Sequence, residues 1–105
     1  MRTRLCRADE LIDGSAVRIE LAQIDVVLVK SGAEIFALED ACSHAEFPLS
    51  DGDVLDGSIE CSLHGSRFDL RTGAPSGPPA TLPVKTFPVS VVDGDVYLDL
   101  ENHRS

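Results

Sequence analysis

Residues 42–69 read CSHAEFPLSDGDVLDGSIECSLHGSRFD, and this stretch decides how the rest of the chain is read. It holds two short pieces rich in metal-binding side chains, Cys42-Ser43-His44 and Cys61-Ser62-Leu63-His64, with sixteen residues between His44 and Cys61. Each piece offers one thiolate and one imidazole, a donor set that suits a transition-metal centre. The whole chain has three Cys and three His in 105 residues. Such a four-residue pattern is expected by chance on the order of 10⁻⁴ times, so coincidence is a poor account of it.

Two metal centres take two Cys and two His. Structural zinc does so tetrahedrally, with two to four residues between the ligands of a knuckle. Here Cys-x-His is tighter than that, and the order is Cys-His followed by Cys-His. In a [2Fe–2S] site with mixed ligands, the two Cys can take one iron and the two His the other. Each segment then gives one ligand to each iron. That reading is favoured, with zinc as the competitor. Two ferric ions, two sulfides and two thiolates cancel in charge, so one-electron reduction leaves a single negative charge, against three for an all-cysteine cluster. His ligation therefore raises the reduction potential.

Outward from this stretch, the pattern is short runs of branched apolar residues separated by turn signals, as in an all-β domain. Strands are expected at 3–7, 16–21, 24–30, 34–38, 84–92 and 95–100, with shorter ones at 54–55, 58–60 and 66–70. Asp93-Gly94 is the strongest hairpin signal. Ser31-Gly32, Asp51-Gly52, Asp56-Gly57 and Thr72-Gly73 mark further turns. Ala74-Pro75-Ser76-Gly77-Pro78-Pro79 reads as a stiff connection lying across something, because proline cannot donate to a ladder. No stretch has helical periodicity with caps, and residues 101–105 read as a tail.

The length fits one domain, residues 1–105, with a modest core that profits from extra fastening. Net charge is −9, from 18 acidic and 9 basic residues. This argues against a nucleic-acid surface and for solubility or a basic partner. The N-terminus lacks an apolar signal region, and no run approaches a membrane span. A soluble, cytoplasmic protein is expected. Three Cys in that setting point to metal binding rather than disulfides.

The signature C-x-H…C-x-x-H over 42–64, followed by His64-Gly65-Ser66-Arg67-Phe68-Asp69, Thr72-Gly73 and the Pro78-Pro79 loop, resembles the Rieske family and its soluble ferredoxins. The resemblance runs from about residue 15 to residue 100. It implies an antiparallel β-sandwich with a small cluster-binding subdomain at about 40–80. It also implies Cys42 and Cys61 on a buried iron, His44 and His64 on an outer iron, and the 75–79 loop shielding the cluster. High-potential members brace their loops with a disulfide, whose positions are here Phe47 and Leu63. Ser66 retains a hydroxyl that such members direct at a cluster sulfur, whereas their tyrosine is here Phe68. A low potential within the Rieske range follows. Ala45 departs from the Gly or basic residue of many ferredoxins.

The same resemblance implies a one-electron carrier, monomeric when free, between a flavin-dependent reductase and a terminal non-haem iron oxygenase, with no catalytic site of its own. The runner-up roles are a small subunit like that of assimilatory nitrite reductase and an accessory protein of iron–sulfur assembly. The runner-up of another class is a zinc-stabilised interaction module. Among the remaining residues, Cys6 reads as a small buried hydrophobe and His103 as part of the solvated tail. Asp51, Asp53, Asp56 and Glu60 read as solvated turn residues rather than an acid–base pair. Phe47, Pro48, Leu63 and Pro78, with Glu46, form a candidate docking rim around the histidines.

Overall fold

A computed structural model of the chain describes residues 2–22, 24–40, 48–55, 57–61, 66–76 and 82–99. These form ten strands and two short 3-10 turns, with no α-helix among them. The strands are β1 (Arg2–Arg7), β2 (Ala16–Glu20), β3 (Asp25–Ser31), β4 (Glu34–Glu39), β5 (Asp53–Leu55), β6 (Ser58–Glu60), β7 (Arg67–Asp69), β8 (Thr86–Phe87), β9 (Val89–Val92) and β10 (Asp95–Asp99). They make three sheets: an outer one, β1-β10-β9; a central one, β2-β3-β4-β8; and a small one, β5-β6-β7. Every pairing is antiparallel. No helix among the described residues is long and apolar enough to cross a membrane.

The run DVVLVKS of β3 does not alternate apolar with polar, and the reason lies in what covers it. Val26, Val27, Leu28 and Val29 are all fully buried. Side chains on a strand point alternately to opposite faces. Val26 and Leu28 accordingly join one apolar cluster with Phe87, Val96 and Leu98. Val27 and Val29 join another with Leu38, Leu49, Ile59, Cys61 and Phe68. The central sheet is thus packed on both faces, by the outer sheet on one side and the small sheet on the other. Burying each such side chain contributes about 1.5–3 kcal/mol. The all-β sandwich expected above is the pair of outer and central sheets; the small sheet, which carries Cys61 at its edge, lies over the other face.

Turn chemistry sets the register. Between β9 and β10, Asp93 has φ 53° and Gly94 φ 81°. Two consecutive left-handed residues make the hairpin turn whose twist matches its strands, and Asp-Gly adopts it readily. After β7, the guanidinium of Arg71 pairs with Glu34 and lies 5.3 Å over the Phe36 ring, tying the end of the small sheet to β4.

Some expectations change. The run 84–92 is not one strand: β8 belongs to the central sheet and β9 to the outer one. Pro88 stands between them, and having no N–H it cannot continue a ladder, while its carbonyl accepts the Asp99 N–H at 3.1 Å. The 3-10 turns at Ala8–Glu10 and Leu49–Asp51 are too short to show a period in sequence. Residues 74–76 lie along β7, with Pro75 bridged to Phe68. The donors there are the N–H groups of Asp69 and Ser76, at 2.9 Å each, so the proline costs no hydrogen bond. Cys6 is half-buried rather than buried, packed against the cluster between the outer and central sheets. Burial pushes its thiol pKa up, Glu10 adds to that, and Arg4 opposes it. Leu100 and residues 101–105, with His103, lie outside the described residues.

Candidate metal centre

Of the four predicted ligands, Cys61 falls within the described residues; Cys42, His44 and His64 lie outside them. Cys61 follows β6 directly and is completely buried, in one cluster with Leu49, Ile59 and Phe68. The β6–β7 hairpin pairs Ile59 with Phe68 and Glu60 with Arg67. Its next rung is the Cys61 N–H donating to the Ser66 carbonyl at 2.6 Å. Residues 62–65, and so the position of His64 in the sequence, fall inside that hydrogen-bonded closure.

The other segment leaves β4 after Glu39 and Asp40 and returns at Pro48. Leu49 then drops into the core beside Cys61, fully buried. Three residues on, Gly52 presses against β6. A Cβ placed on it would stand 1.8 Å from the Glu60 carbonyl oxygen. The return of the first segment therefore abuts the residue immediately before Cys61. Two segments with adjacent feet, each bearing one Cys and one His in its sequence, fit a group that needs one ligand pair from each.

The other candidates sort simply. Asp51 and Asp53 are exposed, and Glu60 pairs with Arg67 at 3.1 Å on the surface. They behave as solvated or ion-paired surface groups; Asp56 lies outside the described residues. Ser66 is buried at 2 % exposure and Phe68 at 0 %. Of the docking rim, Pro48 is half-buried, while Glu46, Phe47, Leu63 and Pro78 lie outside the described residues. Sequence reading missed Leu49 as a core anchor and the tightness at Gly52. The apolar Pro-Leu before Asp-Gly was the one signal available for either.

Comparison with known proteins decides the class. The pattern of the Rieske [2Fe-2S] domain matches residues 1–88. The chain belongs to the Rieske [2Fe–2S] family. The match ends at Pro88, where the Rieske chain passes from central to outer sheet. Over 99 residues it is 38% identical to the ferredoxin component of biphenyl 2,3-dioxygenase from Rhodococcus jostii (strain RHA1), covering 94% of this chain and 92% of that one. The ferredoxin of carbazole 1,9a-dioxygenase from Nocardioides aromaticivorans IC177 superposes with a TM-score of 0.89 at 34% identity, covering 93% and 96%. A complex of reduced oxygenase and oxidised ferredoxin in carbazole 1,9a-dioxygenase matches with a TM-score of 0.88 at 32% identity, covering 92% and 91%. The cofactor of this Rieske domain is a [2Fe–2S] cluster, and the zinc alternative is set aside.

Proposed function

We propose that this chain is the ferredoxin of a multicomponent ring-hydroxylating dioxygenase, taking single electrons from a flavin-dependent reductase and delivering them to a terminal non-haem iron oxygenase. The observation that carries this is the near full-length correspondence with ferredoxin components, over 94% of this chain and 92% of the relative. It acts as a carrier, without a catalytic site of its own, as a single-domain monomer in the cytoplasm.

Cys42, Cys61, His44 and His64 would hold the cluster, the two thiolates on one iron and the two imidazoles on the other. When bound, the cluster supplies a reversible one-electron couple at a potential raised by imidazole ligation. The protein's part is to exclude water and to hold still. Cys61 sits in an apolar cluster with Leu49, Ile59 and Phe68, away from solvent. The hairpin hydrogen bond to Ser66 and the contact of Gly52 with β6 fix its backbone. Holding the Cys61 backbone in this way favours electron transfer, because less reorganisation is needed between the two oxidation states. The net charge of −9 favours steered encounter with partners that present basic surface near their redox centres.

Phe68 offers no hydroxyl, so one hydrogen bond that would favour the reduced state is missing. The midpoint is expected below zero, toward the lower end of the roughly −150 to +300 mV Rieske range. A redox titration followed by visible circular dichroism measures it, and a midpoint above zero contradicts the assignment. The carrier role is tested by reconstitution with purified reductase and oxygenase of a dioxygenase system. Reduced protein should show a rhombic EPR signal of low average g and should support product formation that stops when it is omitted. A cluster-loaded protein that the reductase does not reduce would remove the proposal.

A further inference from the structure

The segment bearing Cys42 and His44 has a carboxylate at its foot that the ligand pattern does not use. Asp40 stands between the end of β4 and residues 41–47, and its side chain is 0% exposed. Ser50, on the returning chain, donates to it twice. The Ser50 backbone N–H reaches Asp40 Oδ1 at 2.8 Å, and its Oγ–H reaches Oδ2 at 2.7 Å. Arg18 on β2 places Nη1 3.5 Å from Oδ2 and pairs through Nη2 with Asp25 at 2.6 Å. The Asp40 N–H donates to the Asp25 carbonyl at 2.9 Å.

We propose that Asp40 is a positioning residue for the cluster: a buried clasp that fixes the two ends of the Cys42/His44 segment to each other and to the central sheet. A buried carboxylate is unfavourable unless fully partnered, and ending a strand needs no such group. Here both carboxylate oxygens are engaged by one residue ten positions along, so the pairing specifies where residue 50 sits relative to residue 40. Leu49, next to Ser50, is fully buried beside Cys61. The clasp therefore sets the first segment against the second. Asp40 acts through the ligands and not on the cluster itself. Partners that orient metal ligands from behind typically govern retention by 10–100-fold.

The inference rests on the reading of Cys42 and His44 as ligands, and the test separates the two. Wild type, Asp40→Asn, Ser50→Ala and Arg18→Gln are purified with the cluster and compared in three ways: EPR of the reduced state, rate of bleaching by a ferrous chelator, and thermal melting. Asp40→Asn should bleach about tenfold faster, with broadened or shifted g values. Ser50→Ala, which keeps the backbone N–H and removes only the hydroxyl donor, should move both in the same direction by a smaller factor. Arg18→Gln, which removes the clasp's cationic partner and its tie to β2, should melt lower and move bleaching in the same direction. Normal wild-type spectra with no change in EPR or bleaching for Asp40→Asn and Ser50→Ala would overturn the clasp alone. A wild type lacking the mixed-ligand signal would overturn the ligand reading and the clasp with it.

Discussion

Cys61→Ser is expected to give a colourless protein with less than about one-tenth of the wild-type iron, melting far below it. Serine is not deprotonated near neutral pH and is a poor ligand to iron, so the cluster loses one of its two anionic protein ligands. The fold loses twice over. Cluster binding contributes to folding free energy, and the hydroxyl is left at a fully buried position among Leu49, Ile59 and Phe68. An unsatisfied hydroxyl there costs about 1–3 kcal/mol. Cys6→Ser is the matched control. Cys6 is half-buried on β1, in the cluster on the opposite face of the central sheet. That variant should keep full iron and melt within a few degrees of wild type. Iron and sulfide assays with visible absorbance decide the matter, and a normal spectrum from Cys61→Ser would remove this residue from the ligand set.

Gly52→Ala should be nearly as damaging without touching any ligand. Its backbone, at φ −89°, is open to any residue, so the obstacle is space alone. The added methyl would stand 1.8 Å from the Glu60 carbonyl oxygen, 2.9 Å from its carbon and 3.2 Å from the Leu49 carbonyl oxygen. All three are main-chain atoms, with no side chain to swing aside. Either β6 moves, carrying Cys61, or the returning first segment moves. Overpacking of this severity costs about 3 kcal/mol or more. For a domain of this size the midpoint of melting should fall by more than about 10 °C, with cluster loss preceding unfolding. A melt within about 2 °C of wild type, with full iron, would show that the two segments are not in contact as described.

The features legible in sequence were those written locally. Asp93-Gly94 announced its hairpin because a turn of two left-handed residues is a property of those two residues, and Gly32 at φ 64° did the same after β3. The spacing of Cys and His announced the centre because ligand chemistry constrains residue types. The continuous apolar run of β3 predicted a strand but not its two-sided burial, since nothing local distinguishes one packed face from two. Pro88 was visible, yet the switch of sheets at it depends on where β4 and β10 lie. Asp40 and Ser50 left no signal, because their pairing arises only once the intervening segment has closed. Arg18 and Asp25 complete that network from another hairpin, which is equally invisible along the chain.

The two apolar clusters share one wall and otherwise do not mix. Val26 and Leu28 feed one, Val27 and Val29 the other. Cys61 belongs to the second, so loss of the metal is expected to loosen first the side that the small sheet covers. The outer and central sheets have an interior of their own, so the small sheet is expected to open before they do, as where local opening follows contiguous packing units. A newly made chain in that state is a half-finished vessel with its floor already laid. Iron–sulfur delivery then has a standing receiver, and loading can complete a fold rather than having to start one.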